Sequence, residues 1–207
     1  MIFHKGTLLV LSGPSGSGKS TLIHTILQHI DNVYFSISTT TRAKREGEVD
    51  GRDYYFVSRE QFEKEIAAGE FLEWANVHGN YYGTSIKPVK KAVEAGKLVL
   101  FDIDVQGFMS IKKSPFAKIL TSVFITTPTM SELERRLIAR GSDTEETIKK
   151  RLANAQKEIT YMPHYDYILI NSDLQQSQEQ ILAIAKAARL KRAEDEIGEF
   201  INYWKEH

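Results

Sequence analysis

Five short apolar runs punctuate the chain: Thr7–Ser12, Tyr34–Ser38, Leu98–Asp102, Leu120–Thr126 and Tyr167–Asn171. Several are apolar at successive rather than alternate positions, as in parallel strands covered on both faces. Between them, apolar residues recur at helical spacing. Leu22, Ile23, Ile26, Leu27 and Ile30 make one stripe directly after a glycine-rich stretch. Ser58 with Gln61 reads as a capping box opening a helix through Phe62 and Ile66, which Gly69 closes. Ser131 with Glu134 reads as another, for a helix carrying Leu133 and Leu137. A longer helix near Thr144 places Ile148, Leu152, Ala155 and Ile159 on one face, and Ser177–Arg192 reads as a further helix. Strands alternating with helices predict an α/β fold, a parallel sheet flanked by helices.

Two stretches break that rhythm. Residues 36–88 are rich in Tyr, Arg, Gly and charge and read as an inserted substrate module. Residues 128–157 are helical and dense in Arg, like a hinged lid. The remainder, 1–35, 89–127 and 158–207, is expected to form one nucleotide-binding core. Near the end, Ile197, Phe200, Ile201 and Trp204 form a stripe at helical spacing, expected to pack on the chain's own core in preference to a dimer contact. Monomer and homodimer both stay open.

Composition narrows the partners. The 27 basic and 27 acidic residues cancel, so no global field argues for a nucleic-acid polymer. Cysteine is absent, which removes disulfides and thiolate metal sites and fits a reducing interior. The run after Met1–Gly6 is too short for a signal peptide, and no run has the length of a membrane span. The expectation is a soluble, cytoplasmic protein with no membrane partner. The six histidines show no metal-ligand spacing.

Candidate chemistry starts at Gly13-Pro14-Ser15-Gly16-Ser17-Gly18-Lys19-Ser20, followed by Thr21, which satisfies G-x-x-x-x-G-K-[S/T] between a predicted strand and a predicted helix. Glycines let successive N–H groups turn inward onto phosphate oxygens, and the helix N-terminus adds its positive end. Lys19 is expected on the β- and γ-phosphates and the Ser20 hydroxyl on Mg2+. Leu98–Asp102 ends in a carboxylate like a Walker B strand, so Asp102 is expected to hold Mg2+ through water, with turn capping the competing role. The loop establishes a nucleoside triphosphate without identifying the second substrate.

The second substrate comes from other segments. Ser38-Thr39-Thr40-Thr41-Arg42-Ala43-Lys44-Arg45-Glu46-Gly47-Glu48 and Gly51-Arg52-Asp53-Tyr54 are followed by Glu70–Trp74, Gly79–Thr84, Asp102–Gly107, Arg136, Arg140-Gly141 and Lys150–Leu152. Together these resemble the guanylate kinase family, in its order, over roughly the first 170 residues. The resemblance implies ATP as phosphoryl donor, Mg2+ as its metal and GMP as acceptor, with dGMP a further acceptor. It places Arg136, Arg140 and Arg151 on the phosphates, as catalytic groups beside Lys19, Arg42 and Asp102, and Asn171 near the ATP base. Arg135 reads as a helix-surface residue. The residue chemistry agrees. Arg42 and Arg45 offer guanidinium forks to a monophosphate, with Tyr54 and Tyr82 hydroxyls beside them. A Glu73 carboxylate can accept guanine's N1–H and N2–H2 together, while Ser38 and Thr84 hydroxyls suit O6; adenine leaves Glu73 facing a lone pair. Asp104 is expected toward the acceptor nucleotide, with a structural role as the competing reading. Lys44 stands where the family commonly has proline. Two other readings remain open at this point: a non-enzymatic guanylate-kinase-like module that binds proteins, and a same-fold kinase for another phosphorylated small molecule.

Overall fold

The computed structural model describes residues 5–77, 79–141 and 143–207, so the first four residues of the expected core lie outside it. Strand β1 (Thr7–Ser12) is buried throughout and sits at the centre of a five-stranded parallel sheet. β7 (Leu98–Asp102) and β8 (Leu120–Thr126) flank it in register, with β2 (Val33–Phe35) and β9 (Tyr167–Ile170) at the edges. The continuous apolar runs follow from this position. Leu8, Val10, Val99, Phe101 and Phe124 fill one face with α3 (Ile86–Glu94) and α4 (Val105–Lys112). Leu9, Leu11, Leu98, Leu100 and Ile125 fill the other with α1 (Lys19–His29) and α7 (Leu174–Ala188). A strand sandwiched between helices has no solvent face on which to place polar residues.

A second, mixed sheet carries β3 (Thr39–Thr40), β4 (Tyr55–Phe56), β5 (Phe71–Val77) and β6 (Asn80–Ser85) in the order β4-β3-β6-β5. Helix α2 (Arg59–Ala67) packs Phe62 against Phe71 and Tyr81, with ring centroids 4.3 and 5.2 Å apart. Helices α5 (Met130–Ala139) and α6 (Glu145–Glu158) close on each other through their own cluster of Leu133, Leu137, Ile148, Leu152 and Ala155. The boundary at residue 88 falls inside α3, whose Val89, Ala92 and Val93 belong to the main core.

Several local expectations are corrected. The strand expected over Tyr34–Ser38 ends at Phe35; the Ser36 amide still donates to Leu100, but the Ser38 carbonyl already accepts from Tyr55 in the second sheet. Only half of the Ser58 box forms: Ser58 accepts from the Gln61 amide, while the Gln61 side chain donates to Glu65. The next cap is Thr129 rather than Ser131, because the same Thr-x-x-Glu pattern occurs two residues earlier, where the extended chain after β8 ends. Asp173 caps α7, which begins at Leu174 and not at Ser177. Leu27 and Ile159 are exposed, the latter because a 3-10 segment (Ile159–His164) turns it off the α6 face. In α8 (Glu194–Glu206), Ile197, Phe200, Ile201 and Trp204 are all exposed, so the stripe is not buried as expected; Glu196 and the preceding Ala193 are the buried points.

Gly13 ends β1 with φ 141°, and a Cβ there would lie 2.0 Å from the Ile125 carbonyl oxygen in β8. Neither strand can yield, since both are buried on both sides. Gly13→Ala is expected to cost about 3 kcal/mol through strain and overpacking, seen as a lower urea midpoint with an unchanged slope.

Candidate active site

The loop after β1 turns over the N-terminus of α1. Gly18 (φ 95°) is its hinge into the helix, and a Cβ there would lie 2.2 Å from Asn171 Nδ2. Asn171 is buried and is fastened to this loop: Nδ2 donates to the Ser17 carbonyl at 2.8 Å, and the Asn171 carbonyl accepts from Arg136 Nη2 at 2.8 Å. It therefore braces the loop from beneath. Lys19 Nζ donates to the Gly13 carbonyl at 2.6 Å and stands 4.0 Å from Asp102 Oδ1. A cavity of about 310 Å³ opens here, and its walls include Gly13, Pro14, Ser15, Gly16, Gly18, Lys19, Ser20, Asp102, Asp104 and Arg140.

A second cavity, about 200 Å³, lies beneath the mixed sheet and is lined by Ser38, Tyr54, Glu73, Ala75, Tyr82, Asp102, Ile103 and Asp104. Tyr54, Asp102, Ile103 and Asp104 line both cavities. The two spaces share one wall. Asp104 owes its position to capping α4, where Oδ1 accepts from the Gln106 and Gly107 amides at 3.1 and 2.8 Å, so the structural role holds whatever else the side chain does.

Glu73 is 6% exposed, and Thr84 Oγ1 donates to its Oε1 at 2.7 Å. The pair arises from antiparallel register, Glu73 opposite Thr84. Arg42 holds Glu48 in a fork of 2.7 and 3.1 Å, with its guanidinium carbon 5.4 Å from the Tyr54 ring centre. The fork keeps the Glu48 carboxyl below its ordinary range. The Arg45 amide donates to the same carboxylate, but its side chain, like that of Lys44, is exposed. On α5 and α6, Arg151 bridges Ser15 and Asp143, Arg136 donates to Glu132, and Arg135 forks onto Glu132 at the surface. Of the residues expected at the site, Ser17, Thr21, Arg42, Arg45, Thr84, Arg136, Arg151 and Asn171 are not among those lining either cavity.

Sequence reasoning gave no role to two acids. Glu48 stood inside the Arg42–Glu48 segment. Glu158 lines the phosphate-loop cavity, its carboxyl raised by burial against the opposing pull of Lys19. It lies seven residues after Arg151, hence on the same helix face, which is the signal that points to it.

The guanylate kinase family model matches residues 5–188. The chain belongs to the guanylate kinase family. It is 51% identical to guanylate kinase of Wolinella succinogenes over 97% of this chain and 93% of that protein, and 56% identical to the Helicobacter pylori guanylate kinase (strain ATCC 700392 / 26695) over 86% of each. The crystal structure of guanylate kinase from Anaplasma phagocytophilum superposes with a TM-score of 0.74 at 36% identity, covering 92% of this chain and 90% of that one. Helix α8 lies beyond the stretch that the guanylate kinase model matches.

Burial raises the Glu73 carboxyl to about 7, helped by Asp104 and opposed by the Thr84 hydroxyl. A carboxyl raised in the fold binds its proton more tightly folded than unfolded. Its contribution is therefore complete below 4.5 and is lost as pH climbs through about 7. Over that interval the nucleotide-free protein should lose about 3 kcal/mol on this account. Glu73→Gln should flatten that slope, as read from urea melts at pH 5 and pH 8.

Proposed function

We propose that the chain transfers the γ-phosphoryl group of ATP to GMP, giving ADP and GDP, with dGMP as a further acceptor. The observation that carries this reading is the shared wall: a phosphate-loop cavity and a cavity closed by Glu73 meet at Asp102, Ile103 and Asp104. Reactants held on either side of one rigid turn are positioned for in-line transfer, and phosphoryl transfer depends chiefly on positioning and electrostatics.

On the donor side, the Gly13–Thr21 segment receives the triphosphate, with Lys19 at its mouth. Ser20 and Asp102 fit a magnesium ion: both line the cavity, and Mg2+ commonly takes one or two protein oxygens and fills the rest with phosphate and water. Such an ion neutralises charge on the β- and γ-phosphates when bound. On the acceptor side, Glu73 accepts guanine's N1–H and N2–H2, Ser38 donates to O6, and Arg42, Arg45, Tyr54 and Tyr82 receive the monophosphate; Thr84, expected on O6 as well, instead spends its one hydroxyl proton on Glu73. The Glu73–Thr84 bond supports this arrangement because it fixes the carboxylate's orientation before guanine arrives. A GMP phosphate oxygen bonds to the γ-phosphorus as the bond to the β–γ bridging oxygen breaks, and the electron pair leaves on ADP. The acceptor phosphate is already ionised, so no general base is assigned.

Arg136, Arg140 and Arg151 act from the lid, which we take as residues 128–157, closing over the core toward the 36–88 acceptor module. Separate apolar clustering of α5 and α6 supports motion as a unit. Asn171 acts through the loop it braces. No described helix is long and apolar enough to cross a membrane, and we place the enzyme in the cytoplasm as a monomer or homodimer without a nucleic-acid partner.

A coupled assay of ATP with GMP, dGMP, AMP and ribose 5-phosphate tests the acceptor. GMP should lead AMP by roughly a thousandfold or more in kcat/KM, and comparable rates with AMP would remove the role of Glu73. Glu73→Gln should narrow the gap mainly by losing GMP. Lys19→Ala should lower kcat roughly a thousandfold with an unchanged circular dichroism spectrum; no turnover of any acceptor by the unaltered chain would favour the protein-binding module.

A further inference from the structure

A larger cavity, about 490 Å³, lies at the other end of the parallel sheet, where Thr7 and Leu98 begin β1 and β7. Five cations line it: Lys5, Lys97, Lys186, Arg189 and Arg192. Two are matched by carboxylates of α8, Lys5 with Asp195 at 3.7 Å and Arg192 with Glu196 at 3.9 Å. Lys97, Lys186 and Arg189 have no carboxylate partner among the described residues.

Helix ends explain part of this surplus. The C-termini of α3 and α7 both point into the region, and each carries about half a negative charge. Together they offset about one of the three unmatched cations. About two positive charges remain in a concave site on a chain whose total is zero. The cavity also borders Thr7, which is 2% exposed and whose Oγ1 is buried with no hydrogen-bond partner. The floor is fixed, since Asn32 Nδ2 donates to the Gly96 carbonyl at 3.1 Å and ties the turn before β7 in place.

We propose that this cavity is a second ligand site, taking the phosphate group of a small phosphorylated metabolite. Lysine and arginine side chains at a rigid floor suit phosphate oxygens, a dianion matches the residual charge, and the volume falls in the usual range for small-molecule sites. It is separate from the two cavities described above and shares no lining residue with them.

The test is a 15N-resolved NMR titration of the full chain with inorganic pyrophosphate and with ribose 5-phosphate at 150 mM salt. Amides of Thr7, Asn32, Gly96 and Lys97 should shift saturably, apart from those of Gly13–Ser20, and the tighter of the two probes tells an inorganic anion from a sugar phosphate. The combined change Lys97→Ala, Lys186→Ala, Arg189→Ala should weaken only the first set, by roughly tenfold per cation removed, with GMP phosphorylation unchanged. Lys97→Glu alone, should the triple variant not fold, is to abolish saturation of that set. Shifts absent at millimolar ligand, equal shifts with added chloride, or shifts that survive both variants overturn the proposal.

Discussion

Like charge is the constraint on which the rest of this structure depends. Two unit charges 4 Å apart repel by about 4 kcal/mol at the effective dielectric of a protein surface, and an ATP tail facing a monophosphate carries several. Fixed cations are needed, and a fold that gathers cations must keep them from repelling one another beforehand. Three arginines and the lysine of the phosphate loop each rest beside an acid: Arg42 on Glu48, Arg136 on Glu132, Arg151 on Asp143, and Lys19 4.0 Å from Asp102, while Arg140, which lines the phosphate-loop cavity, is exposed. Local acids thus offset these charges and restrain these side chains before any phosphate is present.

Legibility in the sequence followed the range of the forces involved. β1, β7 and β8 were found to the residue because burial on both faces leaves an uninterrupted apolar run. The phosphate loop was equally plain, its glycines being demanded by close backbone contact. What failed was decided by tertiary partners. Nothing local distinguishes Thr129 from Ser131 as a cap; the end of β8 does. Ser38 reads as strand, yet its carbonyl is used by Tyr55 in a sheet assembled from residues up to 46 positions apart. The exposed stripe on α8 has the period of a buried one, since periodicity marks a face without naming what covers it.

The candidate site was legible as a set of residues and much less as a division of labour. Ser38, Tyr54, Glu73, Tyr82 and Asp104 do surround one cavity. Tyr54 and Asp104 prove to border both spaces, and Asn171 is a strut under the loop, not a wall. Glu48 and Glu158 went unassigned because an acid among arginines reads as charge balance until its orientation is known.

The common wall has a consequence for anyone wishing to redesign the choice of purine. Substitutions in the turn from β7 into α4 disturb both cavities at once, because Asp102, Ile103 and Asp104 serve as boundary to each. β5 and β6 carry Glu73, Ala75 and Tyr82 on the second cavity alone, so changes in those two strands leave the lining of the phosphate-loop cavity intact.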